Sequence, residues 1–222
     1  MPDFSAPRAP ALRPLHLPEL DEATGADVGP AQSLSVLRVT AAAAADRSLA
    51  EARCSEVLVT GGGFDDIDCR AARFLETRFE GVTADRLLAS GSTWRTSELQ
   101  QCRFGALELG NAVLGSVGLT GSKCHRLNLS GAQLSDVLVE GCDIGECDLS
   151  SAVAERVAFP DARIGTLTVT GARLRDVDLR GARIDRIIGI GDVGGAVITE
   201  GQLSGLAPAL AEHLGIGVAE AG

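Results

Sequence analysis

Along "TGARLRDVDLRGARIDRI", residues 170–187, apolar side chains stand at 172, 174, 177, 179, 182, 184 and 187. The gaps alternate between two and three. A strand buried on one face repeats every two residues and an amphipathic helix steps by threes and fours, so neither period fits. A five-residue unit with two inward side chains implies a chain that bends after each unit and keeps both positions facing one interior. Stepping by five in both directions from Leu174 gives an unbroken series of 28 centres, from Leu49 to Ile184, and none is charged. Charged residues form 23% of the chain, so chance does not account for the series.

The position two before each centre is a second inward site and carries a longer period. Taken every 20 residues from 52 to 172 it reads Ala, with Ser92 the exception. From 57 to 177 it is mostly Val, from 67 to 187 mostly Leu or Ile, and from 62 to 182 mostly small. Four rows with separate preferences predict a mainly β, four-sided coil of 20 residues in which each row stacks on itself along an axis. Glycine at 81, 91, 121, 131, 141, 171 and 181 marks a corner where a side chain is costly or a positive φ is wanted. About seven coils at the usual strand separation of ~4.8 Å make a rod roughly 34 Å long.

Residues 1–33, with Pro2, Pro7, Pro10, Pro14 and Pro18, read as an extended proline-rich arm that either packs along the first coil or stays free. The solenoid is expected over 34–198. Its five-residue step reaches Val39 and Ala44, but Arg47 occupies an inward slot, which puts the start of regular coils between 34 and 49. Beyond Ile184 the register breaks, because "GAVIT" centres on Ile198, one residue short of the series. Thr199 and Gln202 form a capping-box pair that predicts a helix start, and residues 199–222 read as a short helical cap. Pro208 suits the first position of a second short helix better than the interior of one long helix. Leu203, Leu206, Leu210 and Leu214 share a stripe, with Gly215 as the stop. The stripe has two compatible readings, a plug over the apolar end of the last coil and a homodimer interface.

All six cysteines, Cys54, Cys69, Cys102, Cys124, Cys142 and Cys147, fall on the inward positions, which predicts core residues in a reducing, cytoplasmic setting rather than disulfides. No basic-then-apolar leader opens the sequence and no run approaches 18 apolar residues, so neither export nor a membrane span is expected. "GIGDVG", Gly189–Gly194, matches G-x-G-x-x-G but no strand–loop–helix unit surrounds it, and dinucleotide binding is not expected. Cys142 and Cys147 point inward on adjacent sides, and a zinc site there would need two more ligands from a core that offers mainly Leu and Val, so none is expected. His16, His125 and His213 are scattered and no nucleophile motif occurs, so no catalytic, cofactor-binding or metal residue is assigned.

The net charge is −10, yet residues 51–110 hold 10 acidic and 7 basic residues and 111–187 hold 10 and 9, so the rod itself is near neutral. One stretch departs from this balance. Asp136, Glu140, Asp143, Glu146, Asp148 and Glu155 lie between Arg126 and Arg156 with no Lys or Arg among them. They span about one coil and form a candidate acidic belt for a protein partner.

"SGAQLSDVLVEGCDIGECDLSSA" and "TGARLRDVDLRGARI" resemble the pentapeptide-repeat family, whose unit is roughly Ala, Asp or Asn, Leu and two variable residues. The polar slot before the centre holds Asp68, Asn128, Asp143, Asp148 and Asp178. The resemblance covers about two-thirds of the chain and implies a right-handed quadrilateral β-helix with four pentads per coil. It implies a non-enzymatic interaction module whose protein partner the sequence does not name. Within that family, the fluoroquinolone-resistance branch consists of acidic dimers that resemble B-form DNA and bind DNA gyrase, which makes a gyrase-directed DNA mimic the alternative. Arg163, Arg173, Arg175, Arg180, Arg183 and Arg186 depart from that branch. Direct nucleic-acid binding is not expected from a surface of net negative charge.

Overall fold

A computed structural model describes residues 6–24, 27–40, 48–61 and 63–219. Pro2 of the arm, Ala44 and Arg47 of the first coil and Gly62 of the small row lie outside the described residues. Strands follow the pentads: β1 (Asp21–Glu22), β2 (Ser33–Thr40), β3 (Arg53–Thr60), β4 (Phe64–Asp68), β5 (Arg73–Glu80) and β6 (Thr83–Leu88). Next come β7 (Thr93–Gln100), β8 (Arg103–Glu108), β9 (Val113–Thr120), β10 (Lys123–Asn128), β11 (Gln133–Glu140) and β12 (Asp143–Asp148). β13 (Val153–Ala158), β14 (Arg163–Thr168), β15 (Arg173–Asp178), β16 (Arg183–Ile188) and β17 (Ala196–Val197) complete the coils, and the helix α1 (Glu200–His213) follows.

The strands form two parallel sheets, one in the order β1-β2-β3-β5-β7-β9-β11-β13-β15-β17 and the other β16-β14-β12-β10-β8-β6-β4. Partners such as Leu114 and Leu134, or Cys124 and Ile144, stand 20 residues apart, so the sequence period is the coil length. The molecule is a parallel β-solenoid of about eight turns with one C-terminal helix. The sequence count is one turn short because β2 already pairs in register with β3, Leu34 against Cys54 and Val39 against Val59.

Phe64 aside, whose side chain is outside the description, every centre described from Leu49 to Val169 is buried. So is every described second inward residue from Ala52 to Leu167. Inward polar residues find partners close in sequence or, for Ser122, also on the preceding coil, where its Oγ accepts the Cys102 amide at 3.0 Å. Thr77 and Ser97 donate to the carbonyls of Leu75 and Arg95, two residues back. Ser92 interrupts the alanine row for a reason: its Oγ accepts the indole N–H of Trp94 at 2.7 Å and donates to the Ala89 carbonyl. Trp94 stacks on Phe74 at 4.1 Å between centroids and leans on Phe79, forming the aromatic segment of the core.

Glycine marks only part of the bending. Gly121 and Gly131 have φ of 58° and 66°, but Gln101 and Asn111 hold the equivalent corners one coil earlier at 52° and 57°. Gly181 is not left-handed; it serves close approach, since a Cβ there would stand 3.0 Å from Pro160 Cα. A further corner carries no glycine at all. Val36, Glu56, Glu76, Thr96, Ser116, Asp136, Arg156 and Asp176 all have φ between 49° and 58°. Left-handed backbone costs an L residue about 1–2 kcal/mol, and the interstrand hydrogen bonds on either side hold it in place.

At the C-terminal end β17 pairs with β15 at an offset of 19, Val177 to Ala196, which is the register break seen in the sequence. Gly195 makes the shortcut: its φ is 91°, and a Cβ would stand 1.9 Å from the Leu174 carbonyl oxygen. Thr199 and Gln202 form the expected capping box. The Gln202 amide also donates to the carbonyls of Leu179 and Ala182 at 2.6 and 2.8 Å, tying α1 to the last coil. One expectation is corrected here: Pro208 lies inside a single helix and does not begin a second one. The carbonyl that loses its amide partner belongs to Ser204, which is exposed, so water can take the place of the missing hydrogen bond.

Candidate functional site

Outward side chains form columns at a 20-residue step, so the neighbours of a surface charge come from adjacent coils and not from adjacent sequence. This rearranges the acidic stretch. Asp136 accepts two hydrogen bonds from the Arg156 guanidinium, at 2.7 and 2.8 Å. That pairing holds its carboxyl well below the usual carboxylate range. Glu155 meets Arg175, Arg156 and, at 3.7 Å, Arg8; the hydrogen bond from Arg175 is the main cause of its lowered pKa. Asp148 is half-buried and accepts the Ser150 amide. Asp143 is exposed and meets Lys123 of the preceding coil at 2.9 Å. Glu140 and Glu146 are exposed and make no ion pair among the described residues. Of the six carboxylates, Glu140, Asp143 and Glu146 are thus exposed, on two successive pentads of one coil, with Asp143 paired to Lys123.

A feature that the sequence did not expose is where the arm goes. It lies lengthwise across the left-handed corner of the first sheet. The Arg8 amide donates to Asp176 Oδ1 at 3.2 Å and its Nε to Oδ2 at 2.8 Å. These bonds lower the Asp176 pKa. The Ala11 amide donates to Asp136 and the Arg13 amide to Ser116, at 2.9 and 2.7 Å. Leu12 lies over Gly118, where an added Cβ would touch its Cδ1 at 3.9 Å, and Leu15 is buried. The arm then joins the sheet as β1, with Asp21 opposite Leu37. Beside Ala11 and Arg13 a cavity of about 630 Å³ remains, lined also by Arg95, Ser116, Asp136 and Glu155. The visible signal was a polar residue at 116, 136 and 176, each a coil step from the next or two, opposite a segment in which prolines leave few amides.

The helix stripe is divided. Leu206 and Leu210 are half-buried, whereas Leu203 and Leu214 are 49% and 67% exposed. Under the helix a cavity of about 620 Å³ is lined by Ile184, Ile187, Ile198 and Leu206. Two of the "GIGDVG" glycines are explained by packing: Gly189 turns left-handed with φ 79° beside Thr170, and the His213 ring lies against Gly191. All six cysteines are free and buried, and burial pushes the thiols of Cys54 and Cys147 up to about 12. Such thiols are neutral and unreactive at neutral pH.

Stacked 20-residue coils with two inward residues per pentad define the class of fold as a pentapeptide-repeat β-solenoid. Among solved structures, the chain is similar to full-length QnrB1, a plasmid-mediated fluoroquinolone resistance protein, at 15% identity. That match covers 88% of this chain and 95% of that chain, with a TM-score of 0.33. A trypsin-treated variant of QnrB1 matches at 14% identity over 90% and 97% of the two chains, with a TM-score of 0.30. HetL, a pentapeptide repeat protein involved in heterocyst differentiation regulation in the cyanobacterium Nostoc, matches at 16% identity over 82% and 92%, with a TM-score of 0.29. No protein-family model and no curated protein matches the chain.

Proposed function

We propose that the protein is a rigid, non-enzymatic interaction module that presents fixed columns of side chains to a protein partner. The observation that carries this reading is the pairing of a filled core with an outer surface set at one pitch, on which Glu140, Asp143 and Glu146 stand exposed. The backbone of such a scaffold is already ordered, so binding does not pay for ordering a loop. The free, buried cysteines accord with a reducing cytoplasm, and no helix of the described residues is long and apolar enough to cross a membrane. The partly exposed stripe of α1, Leu203 and Leu214 above all, is the surface we assign to self-association into a homodimer.

A pull-down from bacterial lysate tests the module reading. Wild-type protein should retain a partner at physiological salt and lose it at high salt, where charges are screened within about 3 Å. The combined variant Glu140→Gln, Asp143→Asn, Glu146→Gln should not retain it. Asp136 is left intact because it is part of an internal ion pair. The second reading, an acidic DNA mimic directed at gyrase, rests on the same three carboxylates. Inhibition of gyrase supercoiling by wild type and not by the triple variant supports it; no inhibition by wild type removes it.

A further inference from the structure

We propose that the face crossed by the arm is a docking groove for an extended, proline-rich segment bearing an arginine, held in this chain by its own residues 6–15 as a displaceable occupant. The proposal rests on reading the protein as an interaction module, and it adds a surface and the partner chemistry that fits it. The geometry of the column supplies the first argument. From Asp176 to Ser116 is three coil spacings, about 14 Å. From Arg8 to Arg13 is five residues, which in polyproline II conformation rise about 15 Å. An extended proline-rich chain therefore meets the column in step, as an α-helix, rising only about 7.5 Å over five residues, would not.

Hydrogen bonding supplies the second. Polyproline II makes no internal hydrogen bonds, so its amides need outside acceptors. Asp176, Asp136 and Ser116 provide one each for residues 8, 11 and 13. At the intervening coil the column holds Arg156, a donor, and the arm spans it between Arg8 and Ala11, where Pro10 has no amide hydrogen to offer. Arginine is selected by charge, since Arg8 reaches both Asp176 and Glu155. The third argument is the weakness and incompleteness of the fit. Arg8 is 62% exposed and Leu12 37% exposed. The 630 Å³ cavity beside Ala11 accepts a side chain larger than a methyl group. A partner segment with the same spacing and a bulkier residue there makes every contact the arm makes and fills space the arm leaves empty.

The test is fluorescence anisotropy with a labelled peptide of residues 6–16, added to the full-length protein and to full-length Arg8→Glu. In that variant a carboxylate faces Asp176 and Glu155 and releases the arm without touching the core. A tethered occupant competes at high effective concentration, so the variant should bind the peptide at least about tenfold more tightly than wild type. Ala11→Pro in the chain, which removes the amide held by Asp136, should act in the same direction. Adding Asp176→Asn to Arg8→Glu should abolish binding. Equal binding to wild type and to both released variants, or none to either variant while circular dichroism shows them folded, overturns the proposal. These readouts do not involve Glu140, Asp143 or Glu146, so failure here leaves the module reading standing, and loss of the pull-down partner leaves the groove standing.

Discussion

Leu149 and Ser151 are two residues apart and belong to different worlds. Leu149 is 1% exposed within its inward row, whereas Ser151 is exposed at a left-handed corner with φ 57°. Leu149→Asp buries an unpaired charge and should cost more than about 4 kcal/mol or prevent folding. Ser151→Asp should change stability by no more than about 0.5 kcal/mol, because Asp tolerates the left-handed region and the native Asp161 already occupies such a corner. Similar melting temperatures for the two variants would contradict the register. At this scale the inward rows were legible because burial forbids charge at every step. The role of Ser92 was not legible: one serine in an alanine row has no meaning until Trp94 is seen to need an acceptor.

At the scale of elements, α1 illustrates what local signals carry. The capping box depends on residues three apart, and Thr199 and Gln202 form it as read. Pro208 argued for two helices, yet an exposed helix bears the loss of one hydrogen bond when tertiary ties such as Gln202 to the last coil hold its start. With Leu203 and Leu214 open to solvent, and Ile216 and Val218 exposed beyond them, the element presents an apolar surface. Analytical ultracentrifugation should show a concentration-dependent dimer for wild type. Leu203→Glu with Leu214→Glu should be monomeric with an unchanged melting temperature. Monomeric wild type across the accessible range would count against the dimer.

At the scale of the whole molecule, arginine–carboxylate pairs join one coil to another and the arm to the rod. Asp66 with Arg86, Asp136 with Arg156 and Asp176 with Arg8 all have carboxyl pKa values lowered, with hydrogen bonds from the arginine the largest cause. A carboxylate whose folded-state pKa is depressed adds stability that is present above its unfolded value, about 3.9 for Asp, and is lost as pH falls towards the folded value. The melting temperature should therefore be level from neutral pH to about 5 and decline below about 4. Asp136→Asn should lower stability at neutral pH by about 1–2 kcal/mol and make the acid decline shallower. A decline that begins between pH 7 and 6, or an equal acid decline in the variant, would argue against these pairs as its source.

The sequence by itself determined the solenoid, its 20-residue coil, the positions of all six cysteines and the register break before Ile198, because each follows from which side chains avoid water along a repeating chain. Only the tertiary structure decided the surface. Six carboxylates that follow one another along residues 136–155 without a Lys or Arg between them are divided by Lys123, Arg156 and Arg175. The corner at Asp136 is left-handed without a glycine to mark it, and the arm crosses that corner at residues more than 100 positions away. Burial is written locally in a repeat, whereas charge pairing and docking depend on which residues the coils bring side by side.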